Sequence, residues 1–287
     1  MSSRLADVKI VPTGAPVGAE VQGVDLRDDQ PGDVIFEVLR AFHEHCVVIF
    51  RGQKLTQERL LDIALWFGPL NVPPKHLPVL GDDNQPPVVP ISNYAEGGML
   101  GNRDLFPHSD MSYLPIPLLG ALMYAVEVPP LGGRTSWSNL YQAYDELDEE
   151  TRARVQDLKV WSYNPYTPRF ADRGADLGGK NQKFVEEDAP VFPHPIVRTH
   201  PVTGRKSLYV GGLCEEIVGL EDSAASGRLL RRLMEHVDQP HLYYTHDWQP
   251  GDVIVWDNRC TNHKREAFDN AHRRLMYRVQ IAGTRPF

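Results

Sequence analysis

Cysteine is scarce in this chain, and the positions of the few cysteines exclude two kinds of site. Cys46, Cys214 and Cys260 lie far apart in the sequence, and none belongs to a CxxC pair. The number is also odd, so neither a disulfide framework nor a cysteine zinc site is indicated. Because disulfides are rare where thiols are kept reduced, we expect a cytoplasmic protein.

Long apolar runs and an excess of basic charge are absent as well. The sequence contains no run of about 18 apolar residues, which is the length that a membrane-spanning helix needs. The opening MSSRLADVKIVP lacks the apolar core of a secretory signal. The formal net charge is −8, and such a surface repels phosphates and anionic lipids. We therefore expect neither nucleic acid nor a membrane as a partner. We also expect the protein to form a homo-oligomer.

Prolines and glycines, by contrast, are plentiful and cluster between short apolar segments, which predicts many turns between short strands. Apolar periodicity predicts helices over residues 33–44, 57–68, 139–157 and 222–236, with Thr56 as N-cap and Gly68 as stop of the second, and Asp148 as a candidate cap within the third. Strands mixed with helices, without regular βαβ alternation, predict an α+β chain that is mainly β. The best interpretation is a double-sheet barrel with flanking helices, in one domain over residues 1–287.

The segment FPHSDMSY, residues 106–113, contains a histidine and an aspartate two positions apart. In a strand, residues i and i+2 project from one face, so His108 and Asp110 can reach a common point. This pattern alone also fits a surface ion pair, and it recurs at His236 and Asp238. The second pair ends a predicted helix, where residues two apart diverge, so we give it no ligand role.

A metal site needs a third ligand, and His263 is the candidate. It follows a buried apolar strand and a polar turn in VIVWDNRCTNHKR. Two histidines and one carboxylate form the facial triad of non-haem Fe(II) oxygenases, which leaves three positions of an octahedral ion open. His43 and His45 also form a metal-like HEH segment, but they end a helix and point to different faces, so we reject them as ligands.

The last predicted strand, RRLMYRVQI, carries two arginines on one face. Arg274 and Arg278 are four residues apart and share that face with Met276. Buried guanidinium groups are costly unless anions meet them. These two can pair with acidic side chains as plain structure, or they can hold the carboxylates of small molecules, which guanidinium geometry favours.

Taken in order, these motifs resemble the taurine/2,4-dichlorophenoxyacetate dioxygenase family. HSD is followed by GGRT at residues 132–135, then by WDNRCTNH and the arginine strand. The resemblance begins near residue 16, continues through VIFRGQ, FGPL and VRTHPVTGRKSLYVG to the C-terminus, and is weakest over residues 70–105. It implies a double-stranded β-helix, a cupin-like jelly roll, which agrees with the strand pattern.

The resemblance also implies the chemistry. His108, Asp110 and His263 would be the catalytic Fe(II) ligands, and Arg274 and Thr135 would bind the distal carboxylate of 2-oxoglutarate. With O2, such an enzyme hydroxylates a small organic anion, such as a carboxylate, an aryloxy acid or a sulfonate, and releases succinate and CO2. Hydroxylation next to a heteroatom would cleave the substrate.

Substrate contacts follow from the resemblance and from position in the sequence. Arg278 would lie near the substrate's anionic group, support the co-substrate site, or form a buried structural pair. Residues 70–105 would form an active-site loop or lid, because long irregular loops are often functional. The remaining candidates for substrate binding are Phe106, Met111, Tyr113, Lys75, His76, Asn93 and Tyr94.

Several alternatives remain open from the sequence. An oxygenase of the same fold could tailor a natural product by hydroxylation or desaturation. Asp110 as a ligand argues against halogenation, which needs that coordination position for halide. A zinc or iron hydrolase or isomerase on the same barrel would not need Thr135 and Arg274, and a non-enzymatic metal-binding barrel would bind metal without consuming 2-oxoglutarate.

Overall fold

The computed structural model describes residues 4–71, 88–165 and 192–287 and shows a mixed α/β chain rich in strands. Its helices are α1 (Gly32–His45), α2 (Gln57–Phe67), α3 (Leu140–Asp145), α4 (Glu149–Val155) and α5 (Ser223–Val237). Its strands are β1 (Lys9–Pro12), β2 (Ala19–Gln22), β3 (Val47–Phe50), β4 (Val89–Ser92), β5 (Met99–Leu100), β6 (Leu105–His108), β7 (Gly120–Glu127), β8 (Thr135–Asn139), β9 (Lys159–Ser162), β10 (His194–Pro195), β11 (Val197–Thr199), β12 (Lys206–Leu208), β13 (Cys214–Val218), β14 (Tyr243–His246), β15 (Val253–Asp257), β16 (Thr261–Arg265) and β17 (Leu275–Ile281). No helix within these described ranges has both the length and the apolar character to cross a membrane.

The helix ends follow local capping chemistry. Thr56 caps α2 by accepting a hydrogen bond from the backbone N–H of Arg59 (3.3 Å), and Gly68 ends that helix, as the sequence predicted. The segment predicted to be helical, residues 139–157, is largely helical, but it forms two helices, and the candidate cap Asp148 starts the second one. Two separate caps divide it, because Asn139 caps α3 and the Asp148 carboxylate accepts from the N–H of Thr151 (2.8 Å) to start α4.

An eight-stranded sheet with the order β1–β2–β3–β15–β7–β17–β4–β5 forms the larger layer. Both of its faces are covered, which explains the continuous apolar strands VVIF and VIVW. Val253 and Val255 of β15 pack outward in the cluster that contains residues of α1 and α2. Ile254 and Trp256 pack inward in a second cluster, together with Trp137 of β8.

A four-stranded sheet with the order β14–β8–β16–β6 supplies the other side of that inner cluster. Its antiparallel register places His263 of β16 opposite both His108 of β6 and Trp137 of β8. Arg278 of β17 belongs to the larger sheet. The fold therefore brings candidate site residues from two sheets to one interior.

Candidate active site

Three candidate metal ligands meet in this interior. His108 ends β6, and the rings of His108 and His263 have centroids 4.3 Å apart. The Nε2 atoms of these two histidines each lie 3.8 Å from a different oxygen of Asp110. One ligand atom from each of the three residues lies within 4.8 Å of the others. The arrangement can hold a single divalent cation.

Hydrogen bonding and burial leave the histidine nitrogens available for such a cation. Nδ1 of His108 donates to the carbonyl oxygen of Phe106 (2.8 Å), so Nε2 keeps the lone pair that faces the other ligands. Burial lowers the pKa of His263 to about 3, and this imidazole is therefore neutral. Two imidazoles and one carboxylate are the donor set that suits non-haem Fe(II).

Asp110 reaches the site from a turn, which corrects the strand argument made from the sequence. Strand β6 ends at His108, and Met111 has a positive φ of 53°. The turn, and not a shared strand face, brings the carboxylate to the histidines. Burial raises the pKa of Asp110, but His263, Arg278 and His108 together outweigh burial and hold that pKa below its ordinary value.

Arg274 is a buried cation with unused donors. It is 1% exposed, and its Nε and Nη1 have no hydrogen-bond partner among the described residues. Burial, followed by the charge of Arg265, lowers the pKa of Arg274 to about 9, so it stays a cation near neutral pH. Gly133 packs next to this side chain, since a Cβ there would lie in ordinary contact with Nε of Arg274 (3.5 Å), and its φ of 68° is what favours glycine. A buried, unpaired guanidinium of this kind suits an anionic ligand.

Thr135 brings a hydroxyl to the same region. Its Oγ1 accepts a hydrogen bond from Nε1 of Trp248 (2.9 Å), which leaves the hydroxyl hydrogen free to donate. Gly132 precedes it with φ of 76°, and a Cβ at Gly132 would lie 2.5 Å from the carbonyl oxygen of Ala267. The GGRT motif thus has a physical reason for its glycines, because only residues without a side chain fit this turn.

A pocket adjoins the candidate ligands and includes His108, Asp110, Arg278 and Gln280 in its wall, and its empty space, together with the adjoining open solvent, is about 550 Å³. The rest of its wall is apolar and consists of Leu100, Leu105, Phe106, Met111, Tyr113, Pro165 and Leu213. Nη1 of Arg278 lies 3.6 Å from Oδ1 of Asp110, while Nε of Arg278 has no partner among the residues described. The pocket suits a molecule with an apolar body and an anionic end.

The other substrate candidates from the sequence have separate positions. Oδ1 of Asn93 accepts from the backbone N–H of Arg274 (3.0 Å), so Asn93 contacts the backbone that leads into β17. The Tyr94 hydroxyl donates to Glu127 (2.8 Å), and the Arg273 guanidinium lies 3.8 Å from the centre of the Tyr94 ring. Neither residue is part of the pocket wall described above. Lys75 and His76 lie outside the described residues.

Some residues of the site were missed from the sequence. Gln280 lines the pocket two positions after Arg278, and the strand periodicity was a usable signal for it. Asn258 was assigned to the turn alone, and it does accept from Nε1 of Trp256 (2.9 Å), but its Nδ2 also lies 3.5 Å from Oδ2 of Asp110. No local pattern indicated Leu213, which comes from a different part of the chain.

Comparison with known proteins agrees with this geometry. Residues 9–280 match the family described as "Taurine catabolism dioxygenase TauD, TfdA family". The (S)-phenoxypropionate/alpha-ketoglutarate-dioxygenase of Sphingobium herbicidovorans is 35% identical over 276 residues, which are 96% of this chain and 94% of that protein. Pentalenolactone F synthase of Streptomyces arenae is 32% identical, over 93% of this chain and 92% of that protein.

A solved structure extends the likeness to three dimensions. The crystal structure of AAD-2 in complex with Mn(II) and N-oxalylglycine superposes with a TM-score of 0.79 at 32% identity, covering 97% of this chain and 98% of that one. The chain therefore belongs to the TauD/TfdA family. It is a 2-oxoglutarate-dependent dioxygenase, and the alternatives of a hydrolase, an isomerase or a non-enzymatic metal-binding barrel are set aside.

Proposed function

We propose that this dioxygenase oxidises a small organic acid with an apolar, ring-sized body, of which an aryloxy carboxylic acid is the best example. The observation that carries the proposal is Arg278, a buried cation in an otherwise largely apolar pocket wall next to the three candidate ligands. The (S)-phenoxypropionate dioxygenase, whose name describes such an acid as substrate, supports the same class.

The proposed centre is Fe(II) held by His108, Asp110 and His263 within a double-stranded β-helix formed by the two sheets. The two imidazoles and the Asp110 carboxylate fit this ion, because Nδ1 of His108 donates to a backbone carbonyl oxygen and burial keeps His263 neutral. Together with 2-oxoglutarate and O2, the bound iron supplies the oxidising chemistry, which yields succinate and CO2. Arg274 and Thr135 bind the distal carboxylate of 2-oxoglutarate, since both have donors left over.

The protein residues act by binding, orienting and excluding water. Phe106 O fixes the tautomer of His108, and Asn258 contacts the Asp110 carboxylate, so the ligand atoms face one another. Arg278 faces both Asp110 and the pocket, and we propose that it binds the acidic group of the substrate. The apolar wall surrounds the rest of the substrate and aims one C–H bond at the metal centre, which favours oxidation at a single carbon.

A panel of substrates tests this proposal. Aryloxy acids, alkyl carboxylates and sulfonates are compared with their neutral amides by O2 uptake and succinate release that depend on 2-oxoglutarate. We expect turnover with acids, and a loss of at least about tenfold for each matched amide because the buried Arg278 would lose its anion. A preference for the neutral compounds would contradict the role of Arg278.

Natural-product tailoring is the second candidate, and the named activity of pentalenolactone F synthase is the observation that favours it. A precursor of pentalenolactone F in the same panel distinguishes the two, because oxidation or desaturation of that compound alone would exclude an aryloxy substrate. The single domain over residues 1–287, the homo-oligomer and the cytoplasmic location stay predictions.

A further inference from the structure

Arg265 has a second buried guanidinium, close to that of Arg274. It lies two residues after His263 on β16 and pairs across the sheet with Thr135. Because residues two apart on a strand share a face, Arg265 projects into the same interior as His263. Its exposure of 5% agrees with that direction.

The hydrogen bonds of Arg265 use only part of its guanidinium. Nη2 donates to the carbonyl oxygens of Leu100 (2.7 Å) and Arg103. Nε and Nη1 are buried and have no hydrogen-bond partner in the described ranges. Asp104 is the acidic residue that acts on Arg265 electrostatically, but its carboxylate already accepts from the N–H of Ala267 (2.6 Å). Three N–H bonds of Arg265, one on Nε and two on Nη1, are therefore unused.

Arg265 and Arg274 approach one common region. Their guanidinium carbons lie 5.7 Å and 6.0 Å from the centre of the same Phe268 ring. Arg265 lowers the pKa of Arg274, as two nearby cations in a buried place must. Two desolvated cations with unused donors are unfavourable in the free protein, and an anion with two oxygen atoms would relieve both.

We propose that Arg265 is a second guanidinium for the distal carboxylate of 2-oxoglutarate and, through Nη2, joins that carboxylate to the backbone of residues 100–103. This proposal rests on the proposed co-substrate site of Arg274 and Thr135. Leu100 also lines the substrate pocket. The side chain of Arg265 therefore connects the co-substrate end of the site with the wall that contacts the substrate.

Two probes separate this role from a purely structural one. The anaerobic Fe(II) protein is titrated with 2-oxoglutarate and with 2-oxobutanoate, which chelates through the same 2-oxo acid group but has no distal carboxylate. The weak visible charge-transfer band of the chelate reports binding of both, independently of turnover. The variants are Arg265→Met, Arg265→Lys and Arg274→Met. The matched control is Arg134→Met, because Arg134 is half-exposed and paired with Glu266 (2.7 Å).

We expect Arg265→Met to weaken 2-oxoglutarate binding by about tenfold or more, as loss of a charged hydrogen bond does. Binding of 2-oxobutanoate should change by less than about twofold, because only the distal carboxylate touches Arg265. The 2-oxoglutarate affinity of Arg265→Lys should lie between those of the wild type and Arg265→Met. Arg134→Met should bind both probes with wild-type affinity.

The role of Arg265 is wrong if Arg265→Met binds 2-oxoglutarate like the wild type, or loses both probes by the same factor. If Arg274→Met still weakens 2-oxoglutarate selectively in that case, the proposed co-substrate site stands and only the inference on Arg265 fails. If Arg274→Met has no selective effect either, the assignment of the distal carboxylate pocket fails with it.

Discussion

Two clusters in the described part of the chain contain two histidines and one aspartate, with ligand atoms within 4.8 Å of one another. One is His108, Asp110 and His263. The other, His43, His200 and Asp257, lies elsewhere in the interior. Residue type and distance do not distinguish them, and each would satisfy a search for metal-binding residues. They differ in how much of their hydrogen-bonding capacity is already used.

The second cluster is nearly saturated. Both oxygens of Asp257 accept from the Arg259 guanidinium, at 2.8 Å and 2.6 Å, and Oδ2 also accepts from Nε2 of His200 (3.1 Å). Nδ1 of His200 accepts from the backbone N–H groups of Val202 and Thr203, so Nε2 must carry the proton. A cation there would have to displace that proton and would face Arg259 directly.

The first cluster has more unused hydrogen-bonding capacity than the second. The Nε2 atoms of His108 and His263 stand 3.8 Å from the Asp110 oxygens, which is too long for a hydrogen bond and leaves room for an ion. The residue types of a cluster therefore indicate only a candidate metal site. Ligand atoms that make no hydrogen bond within the cluster show which candidate is able to bind an ion. The same chemical change, aspartate to asparagine, should consequently have opposite effects in the two clusters.

Asp110→Asn should produce the largest effect on function. Removing the only carboxylate of the triad should weaken Fe(II) binding by more than about 100-fold, because even supporting groups of metal ligands contribute that much. Without metal, this variant should lose less unfolding free energy than Asp257→Asn does, because the pair between Asp110 and Arg278 (3.6 Å) is longer than the pair between Asp257 and Arg259 (2.6 Å). Fe(II) titration and urea unfolding of the metal-free proteins measure both quantities. His108→Ala is the companion variant, and retention of the charge-transfer band in either would contradict the ligand assignment.

Asp257→Asn should have the reverse pattern. It would leave Arg259, which is 4% exposed, without its counter-charge, and breaking a buried ion pair costs about 3–5 kcal/mol of unfolding free energy. The fraction that remains folded should still bind one Fe(II) per chain with wild-type affinity. Urea unfolding and Fe(II) titration again provide the test, and a loss of metal binding without a loss of stability would show that the second cluster holds an ion.

How far the sequence could predict this difference depends on the range of the interactions. The order of HSD, GGRT, WDNRCTNH and the arginine strand was enough to predict which residues would meet, because motifs of this kind are constrained by a common site. Capping was predictable as well, since Thr56 and Gly68 act on their own helix. Burial of Arg274, Met276 and Arg278 followed from strand periodicity.

Long-range packing was not available from local patterns. The rejection of His43 and His45 used helix geometry, and that reasoning could not show that His43 would meet His200 and Asp257. The turn at Asp110 was missed because i and i+2 spacing fits both a strand and a turn. The unused nitrogens of Arg265 could not be predicted from the sequence either, because whether a donor finds a partner depends on residues that are near it in space and distant in sequence.

A substitution at His43 tests the second cluster further, and it should have the smallest effect on unfolding free energy. Its Nδ1 is buried without a hydrogen-bond partner in the described residues, and its ring packs against the rings of Phe42 and His200, with centroids 5.4 Å and 5.9 Å away. His43→Phe keeps an aromatic ring of similar shape and removes the unsatisfied nitrogen. At pH 8 we therefore expect a change in unfolding free energy of less than about 1 kcal/mol, and no change in Fe(II) binding.

The effect of this substitution should depend on pH with a definite sign. Burial, with Arg259 nearby, lowers the pKa of His43 in the folded protein below its ordinary value of 6.5. The unfolded chain then takes up the proton first, so the wild type loses stability as the pH falls below about 6.5. His43→Phe lacks this proton uptake and should gain stability relative to the wild type between pH 8 and pH 5.5. Urea unfolding at both pH values, with His45→Phe as the control for an added ring, measures the difference. A variant that becomes relatively less stable at pH 5.5 would mean that His43 is charged in the folded protein, and that the second cluster is an ion-pair network rather than a neutral one.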